Sequence, residues 1–470
     1  MSKIIPTLFA GAVILAAVWF ISAGGKNQAV TKQTASENYG KYCSGCHGAN
    51  LEKFAAKVWM DEEGTESAFR SIKFGIENIG MPAFRETFTN REIRELADYV
   101  KKGLPSDRGL LQPALTLEEV VTSEVQKFTV DTVVKGLNVP WGMAFLPNGD
   151  MLISERSGTL YRFSGGEIIE PVTGLPDVMA IGQGGLLDVA LHPDYPTNGW
   201  IYFSYSALSG GGSRPTGNTA IMRARLDGTM LIDREVLFTG EPATDRNYHF
   251  GCKIAFDGKG HIFFGIGDRG QHFDFPQKLD NHNGKIHRLN EDGSIPDDNP
   301  FVNTPGAKAS IWSYGHRNPQ GTCFDPLTGE LWVSEHGPRG GDELNLIKPG
   351  VNYGWPVISY GINYDGTVLT PDTEKTGLEQ PVFQWTPSIG PCGMTFVTGE
   401  RYPNWKNNIL LGSLPLKHLE RVVLVNNRVT HREELLKGIG RVRNVVMGPD
   451  GYIYFAIETP GYILRLIPVE

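Results

Sequence analysis

No long run of lysine and arginine interrupts this chain, and 44 basic against 52 acidic residues give a formal charge of -8. That excludes the basic footprint of a nucleic-acid binder or of an anionic-membrane binder and favours a small or neutral partner. Cysteine is scarce: five in 470 residues cannot build a disulfide scaffold, and the odd number leaves at least one unpaired or with other chemistry. No Gly-x-Gly-x-x-Gly fingerprint lies between a strand pattern and a helix pattern, which weighs against a nicotinamide dinucleotide. Long helical patterns are few, because 57 glycines and 30 prolines make up nearly a fifth of the chain. A content of 40% hydrophobic residues is enough for a large core, and the length exceeds what one core fills. At least two domains are expected, and intrinsic disorder is excluded.

One apolar run is long. Residues 4–25 carry no charge, and at about 1.5 Å per residue they can cross roughly 30 Å of hydrocarbon. The run reads as an export signal. Ser22, Ala23 and Gly24 offer a small-residue cleavage region, whereas Trp19, Phe20 and Ile21 extend the stretch to the length of an anchor. A cleaved leader and a retained inner-membrane anchor both stay open; either places the protein in the periplasm or on the extracytoplasmic face.

A polar spacer over residues 26–36 leads into a section of small helices over residues 37–103. Within it, Ile93, Leu96, Ala97 and Val100 share one face of a helix predicted from Asn90 to Lys102, which Asn90 can cap and Gly103 with Pro105 can end. Cys43, Cys46 and His47 form C-x-x-C-H. Two thiols at this spacing can form thioethers to porphyrin vinyl groups while the adjacent imidazole reaches the iron. A structural zinc site or a redox dithiol is the alternative, but zinc would need further soft ligands nearby. Met81, between Gly80 and Pro82, can bring a thioether to the opposite face of the iron. This section resembles class I cytochrome c domains over nearly its full length, which implies haem c and one-electron transfer.

Residues 104–127 read as a linker. Over residues 128–470 the pattern changes to short strands separated by glycine-rich turns such as Pro147-Asn148-Gly149-Asp150 and Asp257-Gly258-Lys259-Gly260. Units starting at Trp141, Leu187, Cys252, Gly321, Cys392 and Val445 are spaced by 46, 65, 69, 71 and 53 residues. Six uneven units fit an all-β six-bladed β-propeller behind a small all-α domain; a large sandwich or irregular barrel is the alternative.

Polar clusters interrupt this region at His249, at Asp268, at His316 to Asn318 and from Glu335 to Glu343. Together with Val139-Pro140-Trp141-Gly142, with Gly182 to Ala190 and with Asn352-Tyr353-Gly354-Trp355-Pro356, they resemble the glucose/sorbosone dehydrogenase family, in particular its soluble quinoprotein aldose sugar dehydrogenases. The resemblance implies a propeller that binds pyrroloquinoline quinone (PQQ) and calcium over its central channel. It makes His249 the general base at the anomeric hydroxyl and Asp268 the residue that orients it. Arg317 and Asn318 would contact the quinone, Arg317 also stabilising charge on its reduced oxygen, and Lys417, Arg441 and Arg443 would hold the cofactor carboxylates. The carbonyls of Gly337 and Pro338 would bind calcium, with Asp342 and Glu343 in the adjacent acidic region.

The chain departs from a plain member of that family through its haem section and through Cys252, Cys323 and Cys392, among which any one of three disulfides could form. The expected activity is oxidation of an aldose to its lactone, with electrons passed through haem c to a respiratory acceptor such as a cytochrome or terminal oxidase. Oxidation of another alcohol or aldehyde, such as sorbosone, and a non-catalytic sugar-binding propeller are the rivals.

Overall fold

A computed structural model describes residues 34–43, 62–75, 83–102, 119–210, 215–270 and 273–469. Three helices precede the sheets: α1 (Ala35–Tyr42), α2 (Glu62–Phe74) and α3 (Asn90–Lys102). The predicted face of α3 is the buried one: Ile93, Leu96 and Ala97 are wholly covered, and they pack with Val100, Tyr39, Phe69, Ile72, Phe84 and Phe88 into one apolar cluster. The cap differs from expectation. Thr89 starts the helix, not Asn90: Glu92 Oε2 accepts the Thr89 amide at 2.9 Å, and Thr89 Oγ1 accepts the Glu92 amide at 3.3 Å. This reciprocal capping box satisfies two backbone donors, where a lone asparagine would satisfy one. Among the described residues no helix is long and apolar enough to cross a membrane. The apolar run 4–25 lies outside them, as do Cys46, His47 and Met81.

The remainder is a six-bladed propeller. Each blade is an antiparallel sheet of at least four strands, and the blades start from the inner strands Pro140–Phe145, Leu186–Leu191, Ile254–Phe256, Pro319–Phe324, Pro391–Phe396 and Val442–Met447. These starts fall within a few residues of the predicted units. Blade six is closed from the other end of the chain: Lys127–Val134 pairs antiparallel with Tyr462–Val469, from Lys127 opposite Val469 to Val134 opposite Ile463. Val121–Thr122 adds a fifth strand, so the sheet begins inside the stretch expected as a linker.

A separate apolar cluster fills each of the six interfaces between neighbouring blades. Inner strands are largely buried, yet they are not continuous apolar runs, because Asp188, Gln320, Thr322 and Asn444 are buried within them. On the axis, Lys253 of blade three reaches Asn444 Oδ1 of blade six at 3.0 Å and Asp188 Oδ1 of blade two at 3.6 Å. Spanning opposite blades, it plugs the central channel. Cys252, Cys323 and Cys392 carry free thiols, and no disulfide joins any of them.

Candidate active site

The polar clusters lie in connections at one end of the blades, and folding joins them into a single hydrogen-bonded group. His249 precedes the inner strand of blade three in a left-handed conformation (φ 59°). Its amide donates to Gln183 Oε1 at 2.9 Å, and its Nδ1 lies 2.6 Å from Asp268 Oδ1. Asp268, wholly buried, is fixed on three sides. Trp355 Nε1 donates to Oδ2 at 2.7 Å, the Gly270 amide donates to Oδ1 at 2.7 Å, and the Asp268 amide donates to the Arg317 carbonyl at 2.8 Å.

The electrostatics favour one protonation pattern. Burial lowers the His249 pKa from its ordinary 6.5; the Arg317 charge lowers it further, against the opposing Asp268 carboxylate. Burial raises Asp268, yet His249, Arg317 and the Gly270 amide outweigh it and hold the carboxyl below its usual range. An ionised Asp268 beside a neutral imidazole accepts a hydrogen bond from Nδ1–H, so the Nδ1 proton stays on the ring. Nε2 is then the basic nitrogen, and such a pair can accept a proton near neutral pH.

Arg317 is anchored by its amide to Glu335 Oε2 at 2.8 Å, and its Nη1 donates to the carbonyls of Gly337 at 2.6 Å and His336 at 2.9 Å. Its guanidinium lies 5.3 Å from the Trp355 ring centre. Asn318 Oδ1 accepts from Gln320 Nε2 at 3.2 Å, and Gln320 Oε1 accepts from Arg443 Nη1 at 3.2 Å. His336 donates Nε2–H to the Pro391 carbonyl at 2.8 Å. Burial, followed by the charges of Arg443 and Arg317, pushes its pKa down to about 3, so this imidazole is neutral.

Arg441 and Arg443 share one carboxylate. Arg441 Nε reaches Glu458 Oε2 at 2.6 Å and Arg443 Nε reaches Oε1 at 2.8 Å, while Arg443 Nη1 also lies 3.3 Å from Cys392 Sγ. Arg443 is 9% exposed, which rules out a solvated strand edge. Burial and the charges of Arg443 and Arg441 lower the Arg156 pKa against the pull of Glu458. Two guanidinium charges on one carboxylate leave a local positive excess, suited to a ligand with several carboxylates. Lys417 stands half-buried in a left-handed conformation in the turn of blade five, where its carbonyl accepts the Gly438 amide at 2.9 Å.

The turn at Gly337 and Pro338 is held from inside. Asp342 Oδ1 accepts the Gly337 amide at 2.8 Å and Ser388 Oγ at 3.0 Å, and Oδ2 accepts the Gly390 amide at 2.6 Å. Both of its oxygens therefore shape the turn. The Gly337 carbonyl takes Arg317, and the Pro338 carbonyl takes Ser388 Oγ at 3.2 Å. Each carbonyl keeps a second lone pair, so a calcium ion fits this oxygen pair. Burial, then the Glu335 charge, pushes Glu343 up to about 8, and Asn345 Nδ2 bridges the two carboxylates at 3.0 and 2.8 Å. Among the described residues, the carboxylate and imidazole group most compact for a metal is elsewhere: His418, Glu420 and Glu434 on blade five. Glu420 there already accepts from Trp385 Nε1 at 3.1 Å and Arg432 Nη1 at 2.6 Å.

Residue-type reasoning passed over Gln320, His336, Glu458 and Arg156. The first two stand beside residues it did select, whereas Glu458 and Arg156 carry no local signal.

A family model described as Glucose / Sorbosone dehydrogenase matches residues 137–465, and one described as Cytochrome C oxidase, cbb3-type, subunit III matches residues 31–100. The aldose sugar dehydrogenase YliI of Escherichia coli is 40% identical over 367 residues, covering 76% of this chain and 98% of that protein. The apo form of the soluble Escherichia coli aldose sugar dehydrogenase superposes with a TM-score of 0.70 at 39% identity, covering 73% of this chain and 100% of the other. The PQQ-bound aldose sugar dehydrogenase of Streptomyces coelicolor does so with a TM-score of 0.61 at 31% identity, covering 73% and 99%.

Proposed function

The chain belongs to the glucose/sorbosone dehydrogenase family and is a quinoprotein oxidoreductase, and from that premise we propose that it oxidises the anomeric hydroxyl of an aldose sugar to the lactone. Electrons leave through a haem c in residues 37–103 to a respiratory carrier such as a cytochrome or terminal oxidase. The observation that carries this reading is the buried His249–Asp268 pair connected through Trp355, Arg317, His336 and Cys392 to the buried Arg443.

Bound PQQ supplies a carbonyl carbon that accepts hydride, and calcium polarises that carbonyl. The protein does the rest. Nε2 of His249 takes the hydroxyl proton, and Asp268 holds the tautomer and stabilises the imidazolium that forms. Arg317 and Asn318 face the quinone, where a fixed guanidinium stabilises developing negative charge. Lys417, Arg441 and Arg443 pair with the cofactor carboxylates. The carbonyls of Gly337 and Pro338 hold calcium, Asp342 keeps their turn in shape and Glu343 stands in the acidic ground beside it.

Cys43, Cys46 and His47 would attach the haem, with Met81 as the sixth ligand. Supporting this, Cys43 is half-buried at the end of α1 against the apolar cluster of the helical module, the kind of surface a porphyrin needs. Residues 4–25 direct the protein to the periplasm or hold it at the outer face of the inner membrane.

The test is reconstitution of the purified full chain with PQQ and calcium, followed by a panel of aldoses, sorbosone and simple alcohols. Haem absorbance and a small dye acceptor are read in parallel. Aldoses should reduce both fastest. Failure of every aldose to reduce either would sink the proposal, and a clear preference for sorbosone would replace the substrate class.

A further inference from the structure

The helical module meets the propeller beside the candidate site. Tyr42, the last residue of α1, holds its ring centre 4.3 Å from the Arg339 guanidinium. Arg339 follows Gly337 and Pro338 directly, and its backbone exchanges hydrogen bonds of 3.1 and 3.0 Å with Ile362. Beyond Ile362 the chain turns through residues 363–367, closed by the Asn363 amide on the Thr367 carbonyl at 3.0 Å and by Asp365 Oδ1 on the Thr367 amide at 2.9 Å. The Asp365 carbonyl, at the tip, accepts the Thr87 hydroxyl at 2.9 Å. Gly366 lines the contact: a β-carbon there would stand in ordinary van der Waals contact, 3.5 Å from the Tyr42 ring and 3.6 Å from Arg339 Nη1, and it is the φ of 90° that asks for glycine.

On the module side, Tyr42 is packed edge-on against Phe88 at 4.8 Å and Phe84 at 6.5 Å, both in the apolar cluster, and Thr87 immediately precedes Phe88. Tyr42 therefore belongs to both bodies at once. Its neighbour Cys43 opens the C-x-x-C-H motif, so Cys43 and Gly337, almost three hundred residues apart, are joined through Tyr42, Arg339 and Pro338.

We propose that Tyr42, Arg339 and the 362–367 turn form a built docking surface that holds the haem-bearing module at the rim of the quinone site, with Arg339 as a positioning residue for transfer between them. This rests on the proposed function. Each aldose oxidised to lactone releases two electrons and two protons. The protons leave to solvent, and the module takes the electrons one at a time, being reoxidised twice by an external one-electron carrier. A fixed contact suits two successive transfers better than a chance encounter.

The experiment uses the full chain carrying haem, PQQ and calcium. Thr87→Cys with Asp365→Cys should form a disulfide under mild oxidation, read by mass spectrometry. Thr87→Cys with Leu327→Cys, the latter in the exposed turn joining Phe324 to Leu331 at the other end of blade four, should not. Losing a cation–π contact corresponds to about a tenfold change. Tyr42→Ala and Arg339→Ala should therefore each cut cross-linking and sugar-driven haem reduction by about tenfold. Tyr42→Phe, which keeps the ring, should hold both within about twofold, and dye turnover should stay within about twofold in every variant. Parental cross-linking and haem reduction in both alanine variants would overturn the proposal, as would equal cross-linking of the control pair. A parent chain that reduces dye but never its haem removes the transfer role. Loss of dye turnover in the parent instead strikes the proposed function, and cross-linking still decides the docking.

Discussion

His249 can serve as a base only while its imidazole is neutral, and its surroundings push it that way. Burial first, then the Arg317 charge, lowers its pKa from 6.5, so turnover should hold through neutral pH and fall on an acid limb below 6.5. Asp268 opposes that shift. Asp268→Asn should therefore move the limb to still lower pH while kcat drops by about 10²–10⁴. A limb moved upward in kcat/KM profiles would contradict the electrostatic assignment. His249→Ala should keep cofactor binding, measured by titration, and lose about 10² or more in kcat. The same depressed pKa has a stability sign: the unfolded chain binds this proton at higher pH than the folded chain. The contribution is present above 6.5 and is lost as pH falls through the folded value. At this scale the pairing of Arg441 with Arg443 was legible in sequence, because at i, i+2 they share a strand face. Glu458, which holds both, was not, since it comes from the next strand of the hairpin and nothing beside it marks its role.

The turn from blade four that carries Gly337 and Pro338 depends on one close approach. A β-carbon at Gly337 would lie 2.2 Å from the Gly341 carbonyl oxygen, so any other residue must push the backbone apart. Gly337→Ala should lower the melting temperature of the propeller and weaken calcium-dependent PQQ retention by about tenfold or more, since small misplacements of ligating groups are costly. Equilibrium dialysis at fixed calcium checks this, and retention equal to the parent would remove the turn from the cofactor site. Helix α3 makes the complementary case. Its apolar face was fixed by period alone, whereas its cap went to Thr89, because the reciprocal bond with Glu92 satisfies two amides.

Across the whole molecule, the ring is held shut by sequence from its two ends. Lys127–Val134 contributes Phe128, Val130 and Val134 to the core, and burying three such side chains is worth about 5–9 kcal/mol at most, comparable to the stability of a whole domain. A chain beginning after residue 134 should fail to give a cooperative melt by circular dichroism. One beginning at residue 119, without the helical module but with the closing strand, should melt close to the parent. A cooperative melt for the shorter chain would show that blade six closes without its outer strand.

The sequence by itself determined the blade count and the buried face of α3, because turn spacing and hydrophobic period are local properties. Tertiary structure alone decided what those residues touch. It joined Arg441 and Arg443 on Glu458, turned the Asp342 carboxylate inward to shape the Gly337 turn, left Cys252, Cys323 and Cys392 unpaired, and set Tyr42 on Arg339. The Glu458 and Asp342 contacts close within a single blade, whereas Tyr42 and Arg339 lie almost three hundred residues apart; in each case the packing of strands and turns selects the partner, and no local pattern encodes it.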